Sequence, residues 1–141
     1  MNKKKNILLI LLLLLIIIVA IFLFFKKKKT TEHFTLQGQT EIGAGKISLK
    51  VWDDNTEDGD SVIVFFNGKI VKDTLAIKYE PEIIQLGDVQ PGEYKIGIKA
   101  INEGMSSPAT AAIAVSNGKT EETFSMYATM DSAAAWNLIV K

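Results

Sequence analysis

Residues 46–141 read as an all-β sandwich carried behind a single N-terminal transmembrane α-helix, and three observations lead there. Apolar and polar residues alternate in short runs, the period of a half-buried strand. Turn formers, among them Asn67-Gly68, Pro91-Gly92 and Asn117-Gly118, separate those runs. Ahead of them lies ILLILLLLLIIIVAIFLFF, residues 7–25, nineteen positions with no charge and no turn former.

The apolar run comes first. At ~1.5 Å per residue a helix of that length spans roughly 28 Å, close to the ~30 Å hydrocarbon core of a bilayer. Lys3, Lys4 and Lys5 precede it and Lys26 to Lys29 follow it, charges that hold a helix end at the interface. A cleaved signal peptide would have a shorter apolar region and small residues at its end, where this chain has Phe24, Phe25 and four lysines. Residues 1–29 are therefore expected to be an uncleaved anchor in the lipid bilayer. With the α-amino group the charges on the two flanks balance, so the positive-inside rule leaves the orientation open. An exported C-terminal domain is the expectation taken from the domain type.

Residues 30–45 read as a loose tether with one edge strand inside it, because Gly38, Gly43 and Gly45 interrupt a short alternation at Phe34 and Leu36. From residue 46 the texture is β. Ile47, Leu49 and Val51 share one face, with Lys46, Ser48, Lys50 and Trp52 on the other. After an acidic connection, SVIVFF is apolar on both faces, as a central strand is. Asn67-Gly68 suits a two-residue type I′ turn and sends Lys69–Asp73 back antiparallel. Leu75, Ile77 and Tyr79 alternate up to Pro81, and a further short strand covers Ile83 to Leu86. Beyond Pro91-Gly92, Tyr94, Ile96, Ile98 and Ala100 line one face. Tyr94 stands eight residues after Leu86 and just past a turn, the setting of a tyrosine corner. A hairpin across Asn117-Gly118 and a last strand with Trp136, Leu138 and Val140 on one side complete the domain, 46–141.

Composition excludes several chemistries. All sixteen basic residues are lysines, and seven lie beside the anchor. Residues 30–141 keep nine lysines against sixteen acids, a net of −7, which argues against nucleic acid as a partner. Without Cys there are no disulfides, thiolate nucleophiles or Cys-built zinc sites.

YKIGIKAINEGMSSP, from Tyr94 to Pro108, resembles the strand and loop of a fibronectin type III or immunoglobulin-like domain. The longer pattern, VWDDNTEDGDSVIVFFNGKIV followed by AINEGMSSPATAAIAVSNG, is similar to small extracytoplasmic β-domains of Bacteroidota. Those pair a D-G-D turn and an N-G hairpin with an A-x-N-E-G segment. The resemblance covers roughly residues 46–140 and implies an immunoglobulin-like sandwich in a bacterial envelope. It carries over no catalytic or ligand residue.

The acidic connection WDDNTEDGD is the sharpest candidate site. Read from Asp54, D-x-T-x-D-G-D puts oxygens at alternate positions, as a Ca²⁺ loop does, but Phe65 stands where an EF-hand needs Glu. A simpler site would use Asp54, Asp58 and Asp60, whereas an acidic turn explains the same residues through bonds to nearby backbone N–H groups. The turn is the expectation, and no cofactor is required. His33, the single histidine, falls in the tether, and Ser106 and Ser107 have no base beside them in sequence, so no enzyme is expected. Trp52 shares a face with lysines, where an aromatic can meet sugar or protein, and Trp136 suits a sandwich edge. The function expected is a non-enzymatic, membrane-anchored module of the cell envelope that contacts an envelope protein. The alternative is an extracytoplasmic carbohydrate or ligand binder, calcium-dependent in one version.

Overall fold

The computed structural model describes residue 7, residues 10–18 and residues 32–141, and the chain divides into two compact units, Met1–Thr31 and Glu32–Lys141. In the first unit residues 10–18 are helical, with every described side chain exposed. The rest of the expected anchor and both lysine flanks lie outside the described residues. Among the described residues no helix is long and apolar enough to cross a membrane.

The second unit is a sandwich of nine strands: β1 Phe34–Ile42, β2 Gly45–Trp52, β3 Asp60–Phe66, β4 Lys69–Ala76, β5 Glu82–Val89, β6 Gly92–Glu103, β7 Ala109–Ser116, β8 Glu121–Ala128 and β9 Ala133–Val140. One sheet runs β1-β9-β6-β3-β4 and the other β5-β2-β7-β8. Pairing β3-β6-β9 in one sheet and β2-β5 in the other is compatible with an immunoglobulin-like sandwich, whose C, F, G and B, E strands pair this way. The β7–β8 hairpin occupies the edge beside β2.

Alternation places the core. Ile47, Leu49 and Val51 of β2, with Ile113 and Val115 of β7 beside them, face Val62 and Val64 of β3, Ile96 and Ile98 of β6 and Leu138 of β9 in one buried cluster. Strand β3 lies between β4 and β6, as its two apolar faces predict. Its outward Phe65 meets Phe34 edge-on at 5.2 Å, and Phe66 stacks on Tyr94 at 5.3 Å.

The edge strand expected within 30–45 is present as β1, at the margin of its sheet, but the loose tether needs correction, because β1 is integral, parallel to β9 from Phe34↔Ala133 to Ile42↔Val140. Glycine misled the reading by filling a packing role. Gly38 has no Cβ, and the Trp136 ring occupies the space one would take. Gly97 does the same for the Phe34 ring. The compact unit accordingly begins at Glu32. A second difference concerns Leu75, which belongs to β4, while Ile77 is buried outside any strand and its N–H donates to the Asp60 carbonyl at 2.9 Å.

The open sides are closed by side chains. The Gln37 amide mimics a strand: its Nε2 donates to the Tyr127 carbonyl at 2.7 Å and its Oε1 accepts from the Tyr127 N–H at 2.9 Å. Across the other side Lys72 of β4 pairs with Glu82 of β5 at 2.7 Å. On β4 a bulge sets Asp73 and Thr74 in the ladder opposite Ile63, with Thr74 at φ +57, and an irregular edge resists pairing with another chain.

The tyrosine corner is present. Tyr94 Oη donates to the Gln90 carbonyl at 3.0 Å, fastening the start of β6 to the preceding turn. Tyr94→Phe keeps the stack on Phe66 and removes one hydrogen bond, so it should cost about 1 kcal/mol in urea denaturation. An unchanged midpoint and slope would leave the hydroxyl without a structural role.

Candidate functional site

The acidic connection between β2 and β3 meets the β6–β7 connection at one end of the sandwich. Both owe their shape to short polar side chains that turn the backbone. Asp53 Oδ1 accepts from the Asn55 N–H at 2.8 Å, an Asx turn that ends β2 and buries Asp53 to 3% exposure. Its own N–H donates to the Lys78 carbonyl at 2.7 Å, and Glu57 Oε2 accepts from the Tyr79 N–H at 2.9 Å. The loop is thus held against residues 77–79. Gly59 at φ +97 then reverses the chain, so that Asp58 and Asp60 approach each other.

From the other connection, Asn102 Oδ1 accepts from the Gly104 N–H at 2.9 Å, fixing Gly104 at φ +61. Glu103 Oε1 accepts from the Met130 N–H at 2.7 Å. The Ser107 hydroxyl first, and the Met130 N–H second, hold the Glu103 carboxyl below its ordinary range. Gly104 faces the carboxylates: a Cβ there would fall 2.6 Å from Asp60 Oδ1 and closer still to Asp58 Oδ1. Asn102 and Gly104 of the N-E-G segment therefore shape this corner, while Glu103 ties the connection to Met130.

Asp60 is the centre. It is 3% exposed, and its Oδ2 accepts from the Thr110 N–H at 3.0 Å. Its Oδ1 and Asp58 Oδ1 are buried with no donor. Burial is the largest influence on Asp60; the Thr110 N–H opposes it, and Asp58 and Asp53 add to it, and the carboxyl is pushed up to about 6. The carboxylates border a cavity of about 390 Å³ lined also by Asn55, Thr56, Ser106, Ser107 and Thr110.

The expected trio is divided. Asp58 and Asp60 come together, but Asp54 turns away to the Ser125 hydroxyl, 3.3 Å from its Oδ2. Asp53, one residue earlier, lines the cavity instead. Among the described residues no three His, Cys, Asp or Glu side chains are grouped to hold a metal ion. Gly104 and Thr110 escaped the sequence reading, although the glycine of the N-E-G segment was a usable signal. His33 is exposed just ahead of β1. Trp136 stacks on Phe124 at 4.2 Å with its rings 5° from parallel, a packing role, while Trp52 is half-buried in register with Ala112 on the outer face.

Comparisons with protein-family models, curated proteins and solved structures found no match. The corner is thus known by its geometry: a buried acidic pair, roofed by a glycine, beside a polar cavity.

Proposed function

We propose that the chain is a single-pass, membrane-anchored β-sandwich module of the bacterial cell envelope, non-enzymatic, that contacts another envelope protein. The observation that carries this is the uninterrupted apolar run at 7–25 between two lysine clusters. A net charge of −7 over residues 30–141 supports a domain held away from anionic headgroups while the lysines meet them. The immunoglobulin-like resemblance favours an extracytoplasmic domain. Contact with a protein partner is the common use of a small sandwich displayed on an anchor.

The full-length protein should pellet with membranes, resist carbonate extraction and retain its N-terminus by mass spectrometry. Protease added to spheroplasts should remove the sandwich. A mature chain starting near Thr30 would replace the anchor by a signal peptide, and a fully protected domain would reverse the orientation.

A second reading, an extracytoplasmic binder of carbohydrate or another small ligand, is favoured by the polar cavity beside Asp60. That cavity has no aromatic wall, and base-like or sugar-like rings prefer one. The module reading therefore stands first.

A further inference from the structure

We propose that Asp58 and Asp60 hold a divalent cation, calcium by its chemistry, in the cavity they share with the 104–108 loop. The proposal stands apart from the membrane reading and rests on the corner alone.

The first observation is an unanswered charge. Asp60 is 3% exposed, so its carboxylate has left bulk water, yet one donor, the Thr110 N–H, reaches one of its two oxygens. The other oxygen converges with Asp58 Oδ1 beside Gly104, and neither has a hydrogen-bond donor. A buried carboxylate oxygen needs a hydrogen bond or a counter-charge. No lysine or histidine lines the cavity, and the chain has no arginine, so the protein supplies no cation of its own here.

The second observation is the composition of the donor set. Besides the two carboxylates, the cavity offers the side-chain oxygens of Asn55, Thr56, Ser106 and Ser107, with no imidazole and no thiolate. Oxygen donors of this kind select a hard cation rather than zinc or copper. Two carboxylates cannot complete a coordination shell, so neutral oxygens and water must supply the remainder. Ca²⁺ takes 6–8 oxygens in flexible geometry, whereas Mg²⁺ demands a near-octahedral cage. The irregular loop, with no rigid octahedral cage, suits calcium. Asp53 adds negative potential from its buried position, although its Oδ1 is already engaged by Asn55. Gly104 is the third part of the device: with no Cβ it leaves the two oxygens free to converge.

The test uses the full chain in detergent, stripped with EDTA. Its melting temperature is followed on adding millimolar CaCl₂, MgCl₂, or NaCl at matched ionic strength, and isothermal titration with CaCl₂ gives the stoichiometry. The expected result is one calcium per chain and a rise of several degrees with calcium, because a ligand bound to the folded state alone stabilises it. Magnesium should give less than half of that rise. Asp58→Asn and Asp60→Asn, each folded in EDTA, should lose the calcium increment, whereas Asp54→Asn should keep it. Equal shifts with calcium and NaCl would overturn the proposal, as would an increment that survives in Asp58→Asn and Asp60→Asn. Loss of the increment in Asp54→Asn would overturn the ligand set.

Discussion

Replacing Asp60 by Asn should stabilise the sandwich at pH 7 in EDTA, by on the order of 2–3 kcal/mol, although it removes a buried charged group. Burial, with Asp58 and Asp53 as like-charged neighbours, raises the folded-state pKa from 3.8 to about 6. A tenfold change in acidity corresponds to ~1.4 kcal/mol between the protonated and ionised forms. Folding therefore favours the protonated form. That contribution is fully present below pH ~4, where Asp60 is protonated in both states, and is lost as pH rises through about 6. Asn mimics the protonated acid: its oxygen still accepts from the Thr110 N–H, and its amide can donate to Asp58 Oδ1. Urea denaturation of both proteins from pH 4 to 8 should give curves that nearly coincide at pH 4, diverge between pH 4 and about 6 and run parallel above that, with the variant the more stable. Glu103 acts in the opposite sense, since its lowered pKa adds stability that is lost as pH falls, but it is common to both proteins and cancels in the difference. A variant less stable than the parent at pH 7 would mean that the ionised Asp60 is satisfied in a way the corner does not provide.

How much of this was legible depended on whether one side chain or two connections decided the outcome. Strands β2 and β6 were legible because alternation at Ile47, Leu49, Val51 and at Ile96, Ile98, Ala100 has only one buried phase in a sandwich. The tyrosine corner was legible because a turn, an aromatic hydroxyl and a backbone carbonyl lie within a few residues. Strand β1 was legible only as an edge strand within a loose tether, since Gly38 acts as room for Trp136 from a strand remote in sequence, and local punctuation rules read such a glycine as a break. The acidic loop was legible as a cluster and illegible as a site. Spacing alone favoured Asp54, but an Asx turn at Asp53 rotates Asp54 toward Ser125 and leaves Asp53 on the cavity. That choice rests on hydrogen bonds to Asn55 and Lys78, and the second is remote in sequence.

Gly104→Ala should be the most damaging single methyl in the molecule's loops, costing about 3 kcal/mol. Two effects combine. At φ +61 an L-residue bears a backbone penalty of roughly 1–2 kcal/mol relative to glycine. The new Cβ would also sit 2.6 Å from Asp60 Oδ1 and nearer to Asp58 Oδ1, inside van der Waals contact with both. Asp58 lies on a half-exposed loop and can rotate, but Asp60 is buried and held by the Thr110 N–H. Something must give, and overpacking of this kind costs ~1–3 kcal/mol. Gly59→Ala is the control, because Gly59 also has positive φ, +97, yet nothing stands within 4 Å of its Cβ position. It should show the backbone penalty alone, about half the loss at Gly104, in parallel urea melts at pH 7 in EDTA. Asp58→Ala made together with Gly104→Ala should recover part of the difference, since it deletes the nearer of the two crowded oxygens. If Gly104→Ala and Gly59→Ala cost the same, the carboxylates do not converge on the glycine. The corner would then be an ordinary solvated turn with no room reserved for a cation.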